Sequence, residues 1–342
     1  MPPLSFLLSL LALCALIGAQ DICKPVSLFK HAHCPLPSRL LSSDHPIISL
    51  SRDHDRLQKD LEDTYRNGGQ ILKEYFYDHG NWDSVAQKSP QTDGDLDLLY
   101  QHMPHIVGKL ESSSIIFELG PSTYMKKSRA ILDALEATGF HYWYVLVEYN
   151  QDIISKIEEL QKDYSRITFI VICGDFDQAF PIARELAHGR TAALISLGST
   201  YTNAERNVLG NRFGTWGSIV SAMGVSQDLK AKEQADDWHK HYHSPEMMKF
   251  IFDAFKRADK IIGKTLFSDS IPLRCRHTPT SHAYRFRLNN GEIIEVFLSI
   301  KSNDAAILDP SIHKPMVFSE VLGAESTTMK LFIFDNPHVR EE

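Results

Sequence analysis

Residues 115–135 read IIFELGPSTYMKKSRAILDAL, and this stretch decides the fold. An apolar run ends at Gly120, small residues follow, and apolar residues then recur at helical spacing. This pattern predicts a strand, a tight turn and a helix. A glycine at the end of a strand lets a ligand approach the backbone, and the following helix presents free N–H groups. The turn therefore indicates a nucleotide-type pocket, with an ordinary strand-to-helix turn as the alternative.

The same alternation of strand and helix continues along the chain. Strands are predicted at 115–119, 141–148, 167–173 and 191–197, and the helices between them at 125–137, 151–162 and 177–187. Strands joined by short helices form right-handed crossovers and lie parallel in one sheet. The sequence therefore predicts an α/β fold with a parallel, doubly wound sheet.

The flanking segments are less regular. Further helices are predicted at 51–75, 98–110 and 231–263, and further strands at 218–225, 284–300 and 329–334. The first of these helices has a break at Gly68–Gly69. Asn289-Asn290-Gly291 is typical of a hairpin turn. We expect an antiparallel hairpin near the C-terminus to complete the sheet.

Charge and composition restrict the partners. The chain has 342 residues, 43% of them hydrophobic, and a formal net charge of −7. It contains no block of lysine or arginine, so neither nucleic acid nor an acidic membrane surface is an expected partner. The composition is that of a globular protein that buries a core, and we expect a monomer with a small-molecule substrate.

The N-terminus predicts export. Residues 4–18 are almost entirely apolar and Ala19 follows, which is typical of a signal peptide, although no Lys or Arg precedes the run. An uncleaved anchor is the alternative, but about 15 apolar residues fall short of the roughly 20 that span a bilayer. We therefore expect a mature protein in the secretory lumen or outside the cell, with no membrane span.

The cysteines fit this compartment. Cys23 and Cys34 lie in a Pro-rich leader and are the natural disulfide in an oxidising environment. Cys173 lies in an apolar strand and is expected to be a buried free thiol. Cys275 is compatible with either state.

Three strand ends carry ligand-type residues. Gly120 follows the first strand, Glu148 ends the second, and Gly174, Asp175 and Phe176 follow the third. Because parallel strands end at one edge, these residues are expected to meet there. An acid can hold ribose hydroxyls, Asp175 can accept from an adenine amine and Phe176 can cover the ring. These features suit S-adenosylmethionine better than a pyrophosphate, whereas a solvated carboxylate is the alternative for each acid alone.

Four motifs, in order and spacing, resemble one family. They are FELG at 117–120 with Lys127 and LDAL at 132–135, GDF at 174–176, and LGSTYTN at 197–203. The stretch from about 70 to 335 resembles the histidine-specific, S-adenosylmethionine-dependent methyltransferases. The resemblance implies a Rossmann-like class I methyltransferase sheet with a smaller substrate-binding subdomain, and bound S-adenosylmethionine.

The resemblance also implies site residues. Those expected to bind the cofactor are Glu118, Gly120, Ser122, Lys127, Glu148, Gly174, Asp175, Phe176, Gly198 and Ser199. Those expected to bind the substrate are Tyr77, Asn203, Trp238, Phe297 and Ser299. Asn203 would contact the amino-acid portion of the substrate.

The departures from the family pattern bear on the substrate. Gly-Pro-Ser at 120–122 replaces Gly-Ser-Gly, and Pro121 supplies no N–H. Phe297 stands where the histidine trimethylase of the family has a glutamate for the imidazole. We therefore expect free histidine to be a poor substrate. The sequence predicts an N-methyltransferase that acts on a small aromatic amine or an amino-acid-like molecule. The alternative is a secreted binding protein that kept the fold and lost turnover.

The expected divisions of the chain are a signal peptide at 1–19, a leader at 20–50, a helical part at 51–110, a cofactor-binding core at 111–225, a substrate-binding insertion at 226–300 and a return to the core sheet at 301–342. A metal site at His239, His241 and His243 is not expected, because alternate residues of a helix point to different sides and no cysteine or clustered acid completes a site. A serine hydrolase is not expected either, because no G-x-S-x-G motif occurs.

Overall fold

The computed structural model describes residues 47–50, 54–71, 74–77, 82–111, 113–229, 243–278, 281–300 and 304–339. The expected signal peptide, Cys23, Cys34, Trp238 and the histidines at 239 and 241 lie outside the described residues. Within them, the strands form one large sheet and one smaller sheet. No described helix is both long enough and apolar enough to cross a bilayer.

The large sheet has the order β1-β5-β4-β3-β6-β7-β12-β11. Its strands are β1 (Ile47–Ser49), β3 (Ile115–Leu119), β4 (Tyr142–Glu148), β5 (Ile167–Cys173), β6 (Ala192–Ser196), β7 (Ala222–Asp228), β11 (Val317–Gly323) and β12 (Met329–Asp335). Strands β1 and β3–β7 are parallel, whereas β12 pairs antiparallel with both β7 and β11. The predicted doubly wound sheet with C-terminal antiparallel strands is confirmed.

Helices cover both faces of this sheet. They are α4 (Pro90–Leu110), α5 (Lys126–Ala137) and α6 (Ile153–Leu160) on one face, and α7 (Phe176–Ala187) and α8 (Arg206–Trp216) on the other. All five residues of β3 are buried, because the strand lies between two neighbours and two helical layers. The predicted core around Ile115–Leu119 is therefore the centre of the sheet.

The smaller sheet has the order β2-β10-β9-β8, with strands β2 (Gly69–Ile71), β8 (Ile271–Thr278), β9 (Ser281–Arg287) and β10 (Ile293–Ile300). Helices α1 (His54–Asn67) and α9 (Pro245–Ile262) pack on it and share a separate apolar core with it. The short helices α2 (Glu74–Tyr77), α3 (Trp82–Ala86) and α10 (Asp304–Ile307) complete the described elements.

The Asn-Gly hairpin forms, but its place differs from the expectation. Strands β9 and β10 flank Asn289–Gly291 and belong to the smaller sheet, not to the parallel sheet. The antiparallel pair that ends the large sheet is instead β11 and β12. The turn residues determine a hairpin but not the sheet it joins, since that depends on pairing with distant strands.

Candidate functional site

A cavity of about 220 Å³ opens at the carboxyl ends of the parallel strands, between the two sheets. Strands β4 and β5 follow β3 on one side of it, whereas β6 and β7 lie on the other side, so the winding direction reverses at this point. Such a reversal is the usual ligand site of a parallel sheet. Eleven of the fifteen residues expected to contact ligands line it. They are Tyr77, Gly120, Ser122, Glu148, Gly174, Asp175, Phe176, Gly198, Asn203, Phe297 and Ser299.

The turn after β3 forms one wall. Gly120 has φ +69°, and a methyl group added to it would lie 2.5 Å from Thr200 Cγ2. Ser122 also has a left-handed φ of 64°, which is unusual for a residue other than glycine. Its N–H donates to Glu148 Oε2 at 2.8 Å, so the loop that contains Pro121 is held to the end of β4.

Glu148 is a buried acceptor at the end of β4. Its Oε1 accepts from the N–H groups of Tyr149 and Asn150 at 2.7 and 3.0 Å, and its Oε2 accepts from Ser122. Burial raises its pKa, while these backbone donors act in the opposite direction. The carboxylate therefore holds the loop after β3 and the loop after β4 in place. It also lines the cavity, where it can accept hydrogen bonds from hydroxyl groups.

Asp175 caps helix α7. Its Oδ1 accepts from Gln178 N at 2.7 Å, which satisfies one of the free N–H groups at the helix start. Its Oδ2 has no partner among the described residues and belongs to a side chain that lines the cavity. Phe176 follows, and the Arg212 guanidinium lies 5.2 Å from the centre of its ring. This contact fixes an aromatic face beside the acid.

Three residues expected to bind the cofactor lie behind the wall rather than in it. Glu118 is fully buried and accepts from Ser128 Oγ and Tyr144 Oη. Lys127 donates to the buried Asp95 at 3.1 Å and lies next to Gly198. Ser199 Oγ accepts from Asp228 N at 3.0 Å. Their contacts support the loops that surround the cavity, because each polar group is already engaged by the protein.

Aromatic rings form the opposite wall: Tyr77, Trp82 and Phe297 line the cavity, and the buried Phe250 packs behind them. The ring centres of Tyr77 and Trp82 are 5.2 Å apart, as are those of Trp82 and Phe250, and Phe297 lies 5.7–5.9 Å from all three. Phe297 is at a register shift in β10 and has φ +51°. Such bulges redirect side chains, and non-glycine residues with positive φ occur preferentially at functional sites. The bulge places Phe297 in the cavity wall.

Asn203 joins the two sheets. Its Oδ1 accepts from Ile300 N at 2.7 Å, which ties the loop after β6 to the end of β10. Its Nδ2 donates to no described residue, and its side chain lines the cavity together with Ser299. An amide in this place can orient a polar group of a bound substrate.

Half of the cavity-lining residues were not predicted from the sequence, and Trp82, Gln91 and Asp228 are among them. Gln91 Nε2 donates to Asp228 Oδ2 at 3.1 Å, and Thr328 Oγ1 donates to its Oδ1 at 2.6 Å. The one available signal for Asp228 was its position at the end of a strand of the parallel sheet, as for Glu148. Trp82 and Gln91 lie in the N-terminal helical part, where no strand register points to the edge.

The protein's enzyme class follows from its match to a known family. A family model described as "Histidine-specific methyltransferase, SAM-dependent" matches residues 55–308. The chain belongs to this family. It is therefore an S-adenosylmethionine-dependent methyltransferase, and its sheet is the Rossmann-like class I methyltransferase sheet.

The cavity of this methyltransferase fits its cofactor. Gly120 leaves a cradle that any side chain would fill, two carboxylates offer acceptors for hydroxyl and amine groups, and Phe176 offers a ring face. This set of groups matches the ribose, adenine and adenine amine of S-adenosylmethionine. The residues that would hold the cofactor are therefore Gly120, Glu148, Asp175 and Phe176.

Solved structures also resemble this methyltransferase at low sequence identity, and three of them are given as examples. A putative methyltransferase from Thermobifida fusca has a TM-score of 0.40 and 10% identity, over 74% of this chain and 86% of that one. Magnesium protoporphyrin IX methyltransferase from Synechocystis, solved with bound SAH, has a TM-score of 0.39 and 8% identity, over 81% of this chain and 94% of that one. A protein from Pyrococcus horikoshii has a TM-score of 0.39 and 12% identity, over 78% of this chain and 100% of that one. A comparison with curated proteins gives no match.

Proposed function

We propose that this methyltransferase transfers methyl groups to the nitrogen of a small aromatic amine or an amino-acid-like substrate. The observation that carries the proposal is the aromatic wall of Tyr77, Trp82 and Phe297, backed by Phe250, opposite the polar groups at the strand ends. Rings in this arrangement favour a flat apolar substrate, which gains about 25 cal/mol for each Å² that it buries. The family match does not favour a binding protein without turnover.

The protein residues position the acceptor rather than activate it. When bound, S-adenosylmethionine supplies a methyl group on a positively charged sulfur, which a neutral amine can attack directly. Asn203 Nδ2 is placed to orient the carboxylate or another polar group of the acceptor, and Ser299 lines the same wall. The aromatic rings exclude water, which strengthens polar contacts inside the cavity.

The identity of residue 297 is expected to select the acceptor. An imidazole N–H buried against Phe297 has no charged acceptor there, and an unpaired buried donor costs about 1 to 3 kcal/mol. This corresponds to a roughly tenfold to hundredfold bias against free histidine. We expect Phe297→Glu to shift the preference toward histidine and Phe297→Leu to weaken the preference for aromatic acceptors.

The test is a methyl-transfer assay with histidine, tryptophan derivatives and peptides that begin with histidine. Titration calorimetry with S-adenosylmethionine on each variant separates acceptor effects from loss of the cofactor site. Phe140→Glu is the matched control, because Phe140 is 58% exposed and does not line the cavity. Efficient trimethylation of free histidine by the wild type would refute the assignment of the aromatic wall. Cofactor binding without transfer to any acceptor would contradict the proposed reaction itself.

A further inference from the structure

A cluster of nitrogen and sulfur ligands lies on the smaller sheet. One ligand atom from each of His243, Cys275 and His282 lies within 4.8 Å of the other two. The three residues come from the segment before α9, from β8 and from β9, so the fold rather than the sequence spacing brings them together. Sequence spacing does not reveal that Cys275 and His282 lie beside His243, which is why no metal site was expected there.

The distances fit one metal ion. Cys275 Sγ lies 3.5 Å from His243 Nε2. A tetrahedral zinc ion with a sulfur ligand at about 2.3 Å and a nitrogen ligand at about 2.0 Å places these two atoms roughly 3.5 Å apart. The other two ligand pairs lie within 4.8 Å, so each needs to close by at most about 1.5 Å to reach tetrahedral spacing. The exposed side chain of His243 can adjust at low cost, and Cys275, which is partly buried, lies in an irregular part of β8.

The surroundings orient the ligands. Tyr284 packs its ring against His282 at 4.8 Å and against His243 at 5.9 Å between ring centres. The register between β8 and β9 shifts between Leu273 and Arg276, so Cys275 lies in a bulge. Bulges redirect side chains, which explains how a residue of β8 meets the histidine that precedes α9.

The local charge also permits a cation. Arg276 donates to Glu295 through two hydrogen bonds of 2.7 and 2.8 Å, and Arg285 lies 3.9 Å from the same carboxylate. Their positive charges are partly balanced, and the ligand set itself gains a negative charge when the thiol ionises on binding.

We propose that His243, Cys275 and His282 bind a single zinc ion, with solvent at the fourth position on the exposed side. Cysteine and histidine are the ligands that zinc prefers, whereas calcium and magnesium prefer oxygen. The ion clamps the start of α9 to the sheet. Met247 in the first turn of α9 and Ser299, which pairs with His282 in register, both line the cavity. The clamp therefore stiffens the acceptor side of the cavity.

The test uses the full mature chain, stripped with a chelator under reducing conditions and titrated with cobalt and then with zinc. We expect one cobalt ion per chain, a thiolate-to-cobalt charge-transfer band, its displacement by zinc, and a rise in Tm of about 5 °C at saturating zinc. Cys275→Ser should abolish the band, and His243→Ala should weaken binding at least tenfold. His282→Gln tests the third ligand, with circular dichroism to check that this buried position still folds.

The double variant Cys23→Ser/Cys34→Ser controls for metal held by the leader, and His141→Ala controls for loss of an exposed histidine elsewhere. Neither should change the band or the affinity. A band that persists in Cys275→Ser, or wild-type protein with no band and no zinc-dependent rise in Tm, would overturn the site. These measurements need no acceptor, so their outcome is independent of the proposed methyl transfer.

Discussion

Glu118 is a carboxyl group enclosed by the protein beneath the ligand-binding turn. It is 1% exposed, and it accepts from Ser128 Oγ at 2.8 Å and from Tyr144 Oη at 3.0 Å. Burial raises its pKa from 4.5 to about 7, although both hydrogen bonds act to lower it. The residue thus ties β3 to α5 and β4 while remaining sensitive to pH.

We expect Glu118→Gln to remove a pH dependence of stability. Between pH 4.5 and about 7 the folded protein holds a proton on Glu118 that the unfolded chain has released. The free energy of unfolding therefore falls as pH rises through this window, by about 3 kcal/mol in total, and the contribution is fully present below pH 4.5. Glutamine keeps a neutral, hydrogen-bonding side chain at every pH. The free energy of unfolding of the variant, relative to that of the wild type, should therefore increase as pH rises through this window.

Urea denaturation of both proteins at several values between pH 5 and pH 8 measures this difference. Glu159→Gln, at an exposed position in α6, is the matched control and should give a constant difference. If the stability difference between Glu118→Gln and the wild type is the same at every pH, Glu118 does not titrate in this range.

The sequence identified half of the residues that line the cavity, but it could not separate residues of the wall from residues that support it. Strand-end positions pointed to Gly120, Glu148 and Asp175 because the carboxyl ends of parallel strands meet at one edge. Glu118 lies on the same strand end, yet its side chain points to neighbouring helix and strand groups. That distinction depends on which hydroxyls the packing brings near, and a local pattern does not contain it. Trp238 stays a prediction, since it lies outside the described residues.

At the scale of elements, one acid, Asp175, both caps helix α7 and lines the cavity. Asp175→Ala removes the acceptor of Gln178 N and the proposed acceptor of the adenine amine together. We expect binding of S-adenosylmethionine to weaken by roughly 1 to 3 kcal/mol, measured by calorimetry. Asp175→Asn keeps the capping oxygen and places an amide N–H₂ toward the amine, so it should retain helix stability and still lose affinity.

Asp177→Asn is the matched control for charge, because Asp177 is an exposed acid in the same first turn. Its affinity for the cofactor should stay within about twofold of the wild type, since no direct contact is removed. Cofactor binding by Asp175→Asn that equals the wild type would place the adenine elsewhere.

Local periodicity explains which elements were predictable. The buried strands and amphipathic helices of residues 115–197 follow their apolar pattern, and the structure confirms their order. Strand β2 at Gly69–Ile71 was expected as a continuation of helix, and it forms because it pairs with the distant β10. Strand β11 is an edge strand with Val317 and Val321 exposed, so its sequence lacks the apolar signal of a buried strand. Pairing between distant segments is the part that local pattern leaves open.

At the scale of the whole molecule, we propose that the chain enters the secretory pathway and that Cys23 pairs with Cys34. The apolar run at 4–18 and the Pro-rich spacing of the two cysteines support this proposal. Mass analysis of the secreted, unreduced chain should find it cleaved near Ala19, with free thiols only at Cys173 and Cys275. Detection of free thiols at Cys23 and Cys34 would reject the disulfide, and a chain that keeps residues 1–19 and is not secreted would reject the export assignment.

The cavity lies between the large sheet, which has an apolar cluster on each face, and the smaller sheet, which has a cluster of its own. Apolar residues on both faces of the large sheet support the wall formed by the strand ends, and a different apolar cluster supports the aromatic wall. Asn203 bridges the two walls through its hydrogen bond to Ile300 N.

This division has an evolutionary consequence. Substitutions that reshape the aromatic wall fall within the smaller apolar cluster and leave the clusters that support the strand ends in place. Under the proposed function, a lineage with this architecture can therefore exchange one acceptor for another while it inherits the same methyl donor. A change at Asn203 would alter both walls together, because its side chain joins them.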